Sequence, residues 1–159
     1  MADKNFSARN AKRSGKPSRL DAATLTLLDE VRGIYQELAS RPSHGNCIGR
    51  GDCCRFGLTG KTPYLTRGEA MVAAQGWKSL GRKNLELPAD RSCPFLKVNR
   101  CQNYEARPFG CRTHFCDAAG GPTPRGEVRD LIQKLEDIDR KLGGHGACNL
   151  PAALQTLFP

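Results

Sequence analysis

The distribution of cysteine constrains this chain more than any other feature of its sequence. Eight cysteines occur in 159 residues, and seven of them lie between Cys47 and Cys116. Such clustering is typical either of a disulfide framework or of a metal site. Large apolar side chains are sparse in the same region, so we expect the cysteines, rather than an aliphatic core, to hold the middle of the chain together.

The expected compartment favours metal over disulfides. The first twelve residues lack the apolar segment of a secretory signal peptide. No stretch approaches the roughly 20 apolar residues that a membrane-spanning helix needs. We therefore expect a cytoplasmic protein with no membrane span. Disulfides are rare in a reducing cytoplasm, so clustered cysteines there indicate metal ligands ahead of disulfides or a catalytic thiol.

An apolar stripe predicts a long helix before the cysteines. Leucine, valine and isoleucine side chains recur at three- and four-residue steps from Leu25 to Leu38. Asp21 is a suitable N-cap, and Arg41-Pro42 is a suitable end. The pattern predicts a helix over 22–40.

A second stripe predicts a helix after the cysteines. It runs from Val128 to Leu142, and Gly143-Gly144 follows as a C-terminal cap. One more short helix is expected within 150–158, so the C-terminal helices occupy 126–158. The predicted fold is mainly α, with two longer amphipathic helices packed on each other and flanking a loop-rich, metal-stabilised cysteine core.

The segment between these helices is expected to be mostly irregular. Residues 42–65 and 79–92 are rich in glycine or polar side chains and predict loops. Thr66 and Glu69 have the spacing of a capping box, which predicts a short helix through about Gln75. We expect residues 20–159 to form a single domain.

Residues 1–19 predict a disordered basic tail. They contain almost nothing apolar and carry six basic side chains against one acid, Asp3, which gives this segment a net charge of +5 out of +9 for the chain. The six are Lys4, Arg9, Lys12, Arg13, Lys16 and Arg19. Such a tail is a candidate for binding nucleic acid or another anionic surface.

The cysteines form two clusters about forty residues apart, so that one metal site would join distant loops. The predicted ligands are Cys47, Cys53, Cys54, Cys93, Cys101, Cys111 and Cys116. His114 is a candidate extra ligand, whereas Cys148 lies beyond both clusters and is expected to be a free core thiol. Ligation by cysteine alone suits both zinc and an iron–sulfur cluster. More than four candidate thiolates exceed the need of one zinc ion, which slightly favours the cluster.

Aromatic and basic side chains accompany the ligands. We expect Tyr104 at the rim of the site, and Arg107 and Arg112 as donors of hydrogen bonds to sulfur. Nearby cations also stabilise the thiolate, which is the form that binds metal.

These motifs resemble a known family. The run from Cys47 through Arg50 to Cys53-Cys54 is similar to the opening C-x-x-C-G-x-C-C of a cysteine-cluster family described as a zinc- or iron-chelating domain, with Arg50 in place of the second cysteine. The downstream run Cys101-x-x-Tyr-x-x-Arg-Pro-x-x-Cys-Arg112, after Cys93-Pro-Phe-Leu, is similar to its second half. The resemblance covers about residues 44–116 and implies metal binding. A flagellin lysine methylase has a similar cysteine pattern.

Three functions follow as expectations. The first is a metal-binding protein of redox or metal- or cluster-carrier type. The second is an iron–sulfur oxidoreductase or a methylase-like enzyme, which the resemblance implies. The third is a nucleic-acid or ribosome-associated protein with a structural zinc and the basic tail of residues 1–19.

Overall fold

A computed structural model describes residues 19–42, 47 and 49–158 of the chain. This part is mainly α, as predicted. Its helices and strands are α1 (Ala22–Ser40), α2 (Phe56–Thr59), β1 (Tyr64–Leu65), α3 (Arg67–Ser79), β2 (Leu96–Lys97), β3 (Arg100–Cys101), α4 (Phe109–Thr113), α5 (Arg129–Lys141), β4 (Cys148–Asn149) and α6 (Leu150–Gln155). The predicted basic tail, apart from Arg19, lies outside the described residues.

Helix α1 has the bounds that its sequence predicts. The Asp21 carboxylate accepts a hydrogen bond from the Thr24 N–H at 2.7 Å, which satisfies one of the free donors at the helix start. The helix ends just before Arg41-Pro42. The middle of its apolar stripe, which includes Leu28 and Val31, is buried, whereas Leu25 at the start of the stripe is exposed.

Helix α5 confirms the second predicted stripe. Leu131, Leu135 and Ile138 are buried and share one apolar cluster with the buried face of α1. At the edge of this contact, Arg41 pairs with Asp130 at 2.5 Å. The two longer helices therefore pack on each other, as the sequence predicts.

Helix α3 extends one turn further than the expected end near Gln75. The predicted capping box is present at its start, between Thr66 and Glu69. In the extra turn, Trp77 is buried, its indole N–H donates to the Asn84 carbonyl at 2.9 Å, and its ring lies 5.2 Å from that of Phe95. Burial of this side chain stabilises the added turn.

The middle of the chain has an apolar core of its own, contrary to our expectation. Phe56, Leu65, Trp77, Phe95, Leu150 and Leu154 form one buried cluster, distinct from the α1–α5 cluster. These residues are scattered over about a hundred positions, so no window of the sequence contains enough of them to show a pattern. Helices α3 and α6 bring them together.

Two short antiparallel ladders complete the fold. Strand β1 pairs with β4, and β2 pairs with β3 in a tight hairpin. The two residues at the hairpin tip, Val98 and Asn99, both have positive φ (49° and 60°), as a type I′ turn requires. None of the helices in the described residues has the length and apolar character needed to span a membrane.

Candidate metal centre

Six of the seven predicted cysteine ligands line one cavity of about 770 Å³. The six are Cys47, Cys53, Cys54, Cys93, Cys101 and Cys111. They come from three parts of the chain: the loop before α2, the hairpin with the residues just before it, and helix α4. The fold therefore brings both predicted clusters to the same place.

A glycine allows the first segment to lie against the hairpin. Gly51 has φ of 71°, and a Cβ at this position would lie 2.9 Å from the Asn99 carbonyl oxygen. Only glycine meets both requirements without strain. The 3₁₀ turn Asp52–Cys54 follows directly, so this close approach places Cys53 and Cys54 beside the hairpin.

Cys54 and Cys93 are joined through both backbone and side chains. The Cys93 N–H donates to the Cys54 carbonyl at 2.6 Å. The Cys54 side chain also interacts with those of Cys53 and Cys93, and these interactions shift its pKa. The two clusters that are separate in the sequence thus meet at Cys54 and Cys93.

The hairpin strand β3 carries Cys101 and is anchored to α3. Two residues further on, the buried Asn103 side-chain amide donates to the Ala73 carbonyl at 2.9 Å. Gly76 permits this contact, since a Cβ there would lie 2.3 Å from the Ala106 Cβ and 2.7 Å from the Asn103 Oδ1. The position of Cys101 thus depends on a helix more than twenty residues away.

Helix α4 carries Cys111 and is held at its N-terminus by a buried carboxylate. Glu69 Oε1 accepts from the Phe109 N–H, and Oε2 accepts from the Thr66 N–H and hydroxyl, each at 2.9 Å. Burial raises the pKa of Glu69. One side chain therefore caps α3 and also fixes the start of the helix that positions Cys111.

The surroundings of the cysteines favour the protonated thiols. Burial raises the pKa of Cys101 and Cys111. A hydrogen bond with Cys54, together with burial, raises the pKa of Cys53. A hydrogen bond from Cys53 lowers the pKa of Cys54. A hydrogen bond to Cys93 and burial act in the opposite direction and are stronger, so the pKa of Cys54 is raised to about 12. Bringing several thiolates together without a cation is therefore unfavourable.

Of the accompanying side chains, Tyr104, Arg107 and His114 line the same cavity. The Arg107 guanidinium lies over the Tyr104 ring, with its Cζ 3.7 Å from the ring centre. Its charge lowers the pKa of Cys101, although burial outweighs this effect.

Arg112 and Cys116 do not line the cavity. Arg112 lies over the ring of Tyr35, and its guanidinium donates to the carbonyls of Arg107 and Glu105 at 2.8 and 2.6 Å. Arg112 thus braces the backbone that carries Arg107. Its hydrogen bonds to sulfur, and ligation by Cys116, stay predictions.

Two further cysteine-related positions lie away from the cavity lining. Arg50, where the resembled motif has a cysteine, forms an exposed ion pair with Asp52 at 3.2 Å. Cys148 is exposed in β4, so our expectation of a core thiol was wrong. Strand β4 consists of Cys148 and Asn149 alone, and both residues are exposed.

The donor atoms suit zinc or iron, but their arrangement does not form a finished site. Within the described part of the chain, no group of three or more His, Cys, Asp or Glu side chains is placed so that it could hold a metal ion. The predicted metal-stabilised core is thus not seen as a closed coordination sphere. The chemistry of six thiols around one cavity nevertheless fits a soft, thiolate-binding metal.

Several residues of the site escaped sequence reasoning. Lys61 lines the cavity without belonging to the predicted set. Asn103 and the second role of Glu69, its hydrogen bond to Phe109, depend on contacts between distant segments. The capping-box spacing revealed Glu69 itself, but no local pattern indicates its partner.

Fold and site together define a small helical protein with a cysteine-lined cavity. A family model matches residues 46–137, and the chain belongs to this family, CxxCxxCC, described as "Putative zinc- or iron-chelating domain". The resemblance in the cysteine motifs is thereby confirmed. No curated protein and no solved structure matches the chain.

Proposed function

We propose that this protein binds iron or zinc through the cysteines of the cavity and acts as a metal or cluster carrier or as a redox protein. The observation that carries the proposal is the convergence of six cysteines from three segments on one cavity. Membership of a family described as zinc- or iron-chelating supports it independently.

An iron–sulfur cluster is slightly favoured over a single zinc ion. A structural zinc ion takes four ligands, and this cavity offers six cysteines. When bound, a cluster would supply one-electron redox chemistry. The chain's own contribution is to provide thiolates, to offset their charge with Arg107, and to hold Cys101 and Cys111 through Asn103 and Glu69.

Metal uptake must be coupled to loss of protons. The raised pKa values of Cys53, Cys54, Cys101 and Cys111 mean that these thiols are protonated near neutral pH in the absence of metal. Ligation requires thiolates, so each one that forms releases a proton. The attraction between cation and thiolates then replaces the unfavourable burial of unpaired charge.

The test is to isolate the full chain without oxygen, measure iron, zinc and sulfide per chain, and record the absorption spectrum. We expect about one or more equivalents of metal, because a closed thiolate site binds strongly near pH 7. Visible absorption with acid-labile sulfide indicates a cluster, and a colourless zinc form indicates a single-ion site. A folded chain without metal, whose cysteines all react with iodoacetamide, would contradict the proposal.

Serine variants identify the ligands. We expect Cys53→Ser and Cys111→Ser to lower metal content and the melting temperature. Cys148→Ser is the matched control, because this cysteine is exposed and lies outside the cavity. Cys116→Ser decides whether the seventh predicted cysteine joins the set. Metal loss in the control, with retention in the first two variants, would overturn the assignment.

A further inference from the structure

We propose that the cysteine-lined cavity also binds a small organic anion, with an apolar part and a carboxylate or phosphate group, beside the metal. This site goes beyond metal binding. The cavity volume of about 770 Å³ lies within the usual range for small-molecule pockets. A single metal ion would occupy only a small part of that volume.

The charge of the lining selects an anion. Lys61, Arg100 and Arg107 line the cavity, whereas no described aspartate or glutamate does. Within the described part of the chain, none of these three cations forms an ion pair, although other arginines such as Arg32 and Arg41 do. Four thiolates around a divalent ion carry a net charge of −2, so three cations leave the cavity positive even when metal is bound.

Arg107 is the group best placed to contact the anion. Its guanidinium face is occupied by the Tyr104 ring at 3.7 Å, so its N–H donors remain available only in the guanidinium plane. Its Nε is buried and has no hydrogen-bond partner among the described residues. A buried donor of this kind costs free energy unless an acceptor satisfies it. Carboxylates and phosphates fit a guanidinium edge with two parallel hydrogen bonds.

The remaining wall is apolar. Phe56, Pro63 and Phe95 line the same cavity and offer contact to a hydrocarbon or aromatic group. The combination of apolar walls with a few converging cations is typical of a site for a small organic acid or phosphate ester. Inorganic phosphate alone would leave these walls without a partner.

Isothermal titration of the full chain, metal-loaded and metal-free, tests the proposal. The probes are benzoate and phenylphosphate, with benzyl alcohol and benzylamine as neutral and cationic controls of similar shape. We expect at least one of the two anions to bind with one site per chain, and which of them binds more tightly distinguishes a carboxylate from a phosphate ligand. The proposal would be overturned if neither anion binds, or if benzyl alcohol or benzylamine binds as tightly as the anions. It would also be overturned if inorganic phosphate binds as tightly as phenylphosphate.

Variants locate the site. Arg107→Gln should weaken binding of the anion at least tenfold, and Arg100→Gln should weaken it severalfold. Arg125→Gln is the control, because Arg125 is exposed and does not line the cavity. Unchanged binding in both Arg107→Gln and Arg100→Gln would overturn the proposal. Metal content, measured separately, distinguishes the two proposals. A metal-loaded chain that binds no anion would refute only the proposal of an anion site. A chain that binds the anion but takes up no metal would refute only the proposal of metal binding.

Discussion

Glu69 and Phe109 are forty positions apart, and the Phe109 N–H donates to the Glu69 carboxylate at 2.9 Å inside the protein. The same carboxylate accepts from the Thr66 N–H. We expect Glu69→Ala to lower the free energy of unfolding by about 3 kcal/mol, because it leaves two buried N–H donors without acceptors. Urea denaturation measures this loss, and metal per chain should fall as α4 loosens.

Glu86→Ala is the matched control for that variant, because Glu86 is exposed. We expect a change within about 0.5 kcal/mol there. Equal stability of the two variants would show that the buried carboxylate does not secure the start of α4.

The stability of the metal-free protein should fall as the pH rises above about 8.5, the pKa of an ordinary cysteine. The pKa of Cys53, Cys54, Cys101 and Cys111 is raised in the folded state. The unfolded chain therefore loses these thiol protons at lower pH than the folded chain, and alkaline pH favours unfolding. Their contribution to stability is complete below about 8.5 and declines as the pH rises towards the folded values.

Thermal melts between pH 7 and 10, with reductant present, measure this effect. The metal-loaded protein should show a smaller decline, because its ligands are already thiolates in the folded state. A metal-free melting temperature that stays constant or rises over this range would contradict the raised pKa values.

Gly76→Ala should destabilise the protein by about 1–3 kcal/mol, because the added methyl group would overlap Ala106 and the Asn103 side chain. The displaced segment carries Arg107 and follows Cys101, so metal content should also fall. Gly33→Ala is the control in a helix, since a Cβ there meets nothing within 4 Å. That variant should stabilise by about 0.5–1 kcal/mol through helix propensity. Urea denaturation of both variants measures their free energies of unfolding, which should change in opposite directions.

Val98→Asn should stabilise the hairpin. Val98 is a β-branched residue with φ of 49°, and its side chain is 94% exposed, so it has strain without compensating burial. Asparagine tolerates this conformation, and we expect a gain of about 1 kcal/mol. Lys97→Asn, in the adjacent strand, should give no gain. If Val98→Asn instead destabilises the protein, the Val98 side chain makes a stabilising contact despite its exposure.

Local patterns predicted the parts of this fold that depend on local physics. The stripe of α1, its Asp21 cap and the Thr66–Glu69 capping box each involve residues within one or two helical turns, and each is present. The cysteine spacing likewise identified six residues that line one cavity. These features follow from periodicity and from the chemistry of thiols.

The missing parts depend on contacts between distant segments. The pairing of Cys54 with Cys93 and the clamp of Asn103 on Ala73 join residues 39 and 30 positions apart, and neither leaves a periodic signal. The core around Trp77 and Phe95 was underestimated for the same reason. Exposure of Cys148 depends on where β4 pairs, which its two-residue length does not reveal.

The contact of α6 with the cavity has a consequence for folding. Leu150, the first residue of α6, lines the cavity, and its N–H donates to the Pro63 carbonyl at 2.9 Å. Pro63 lies 87 positions earlier in the chain, so this contact closes a long loop at an entropic cost. The wall of the cavity is therefore completed only when α6 docks, which makes its formation a non-local step of folding.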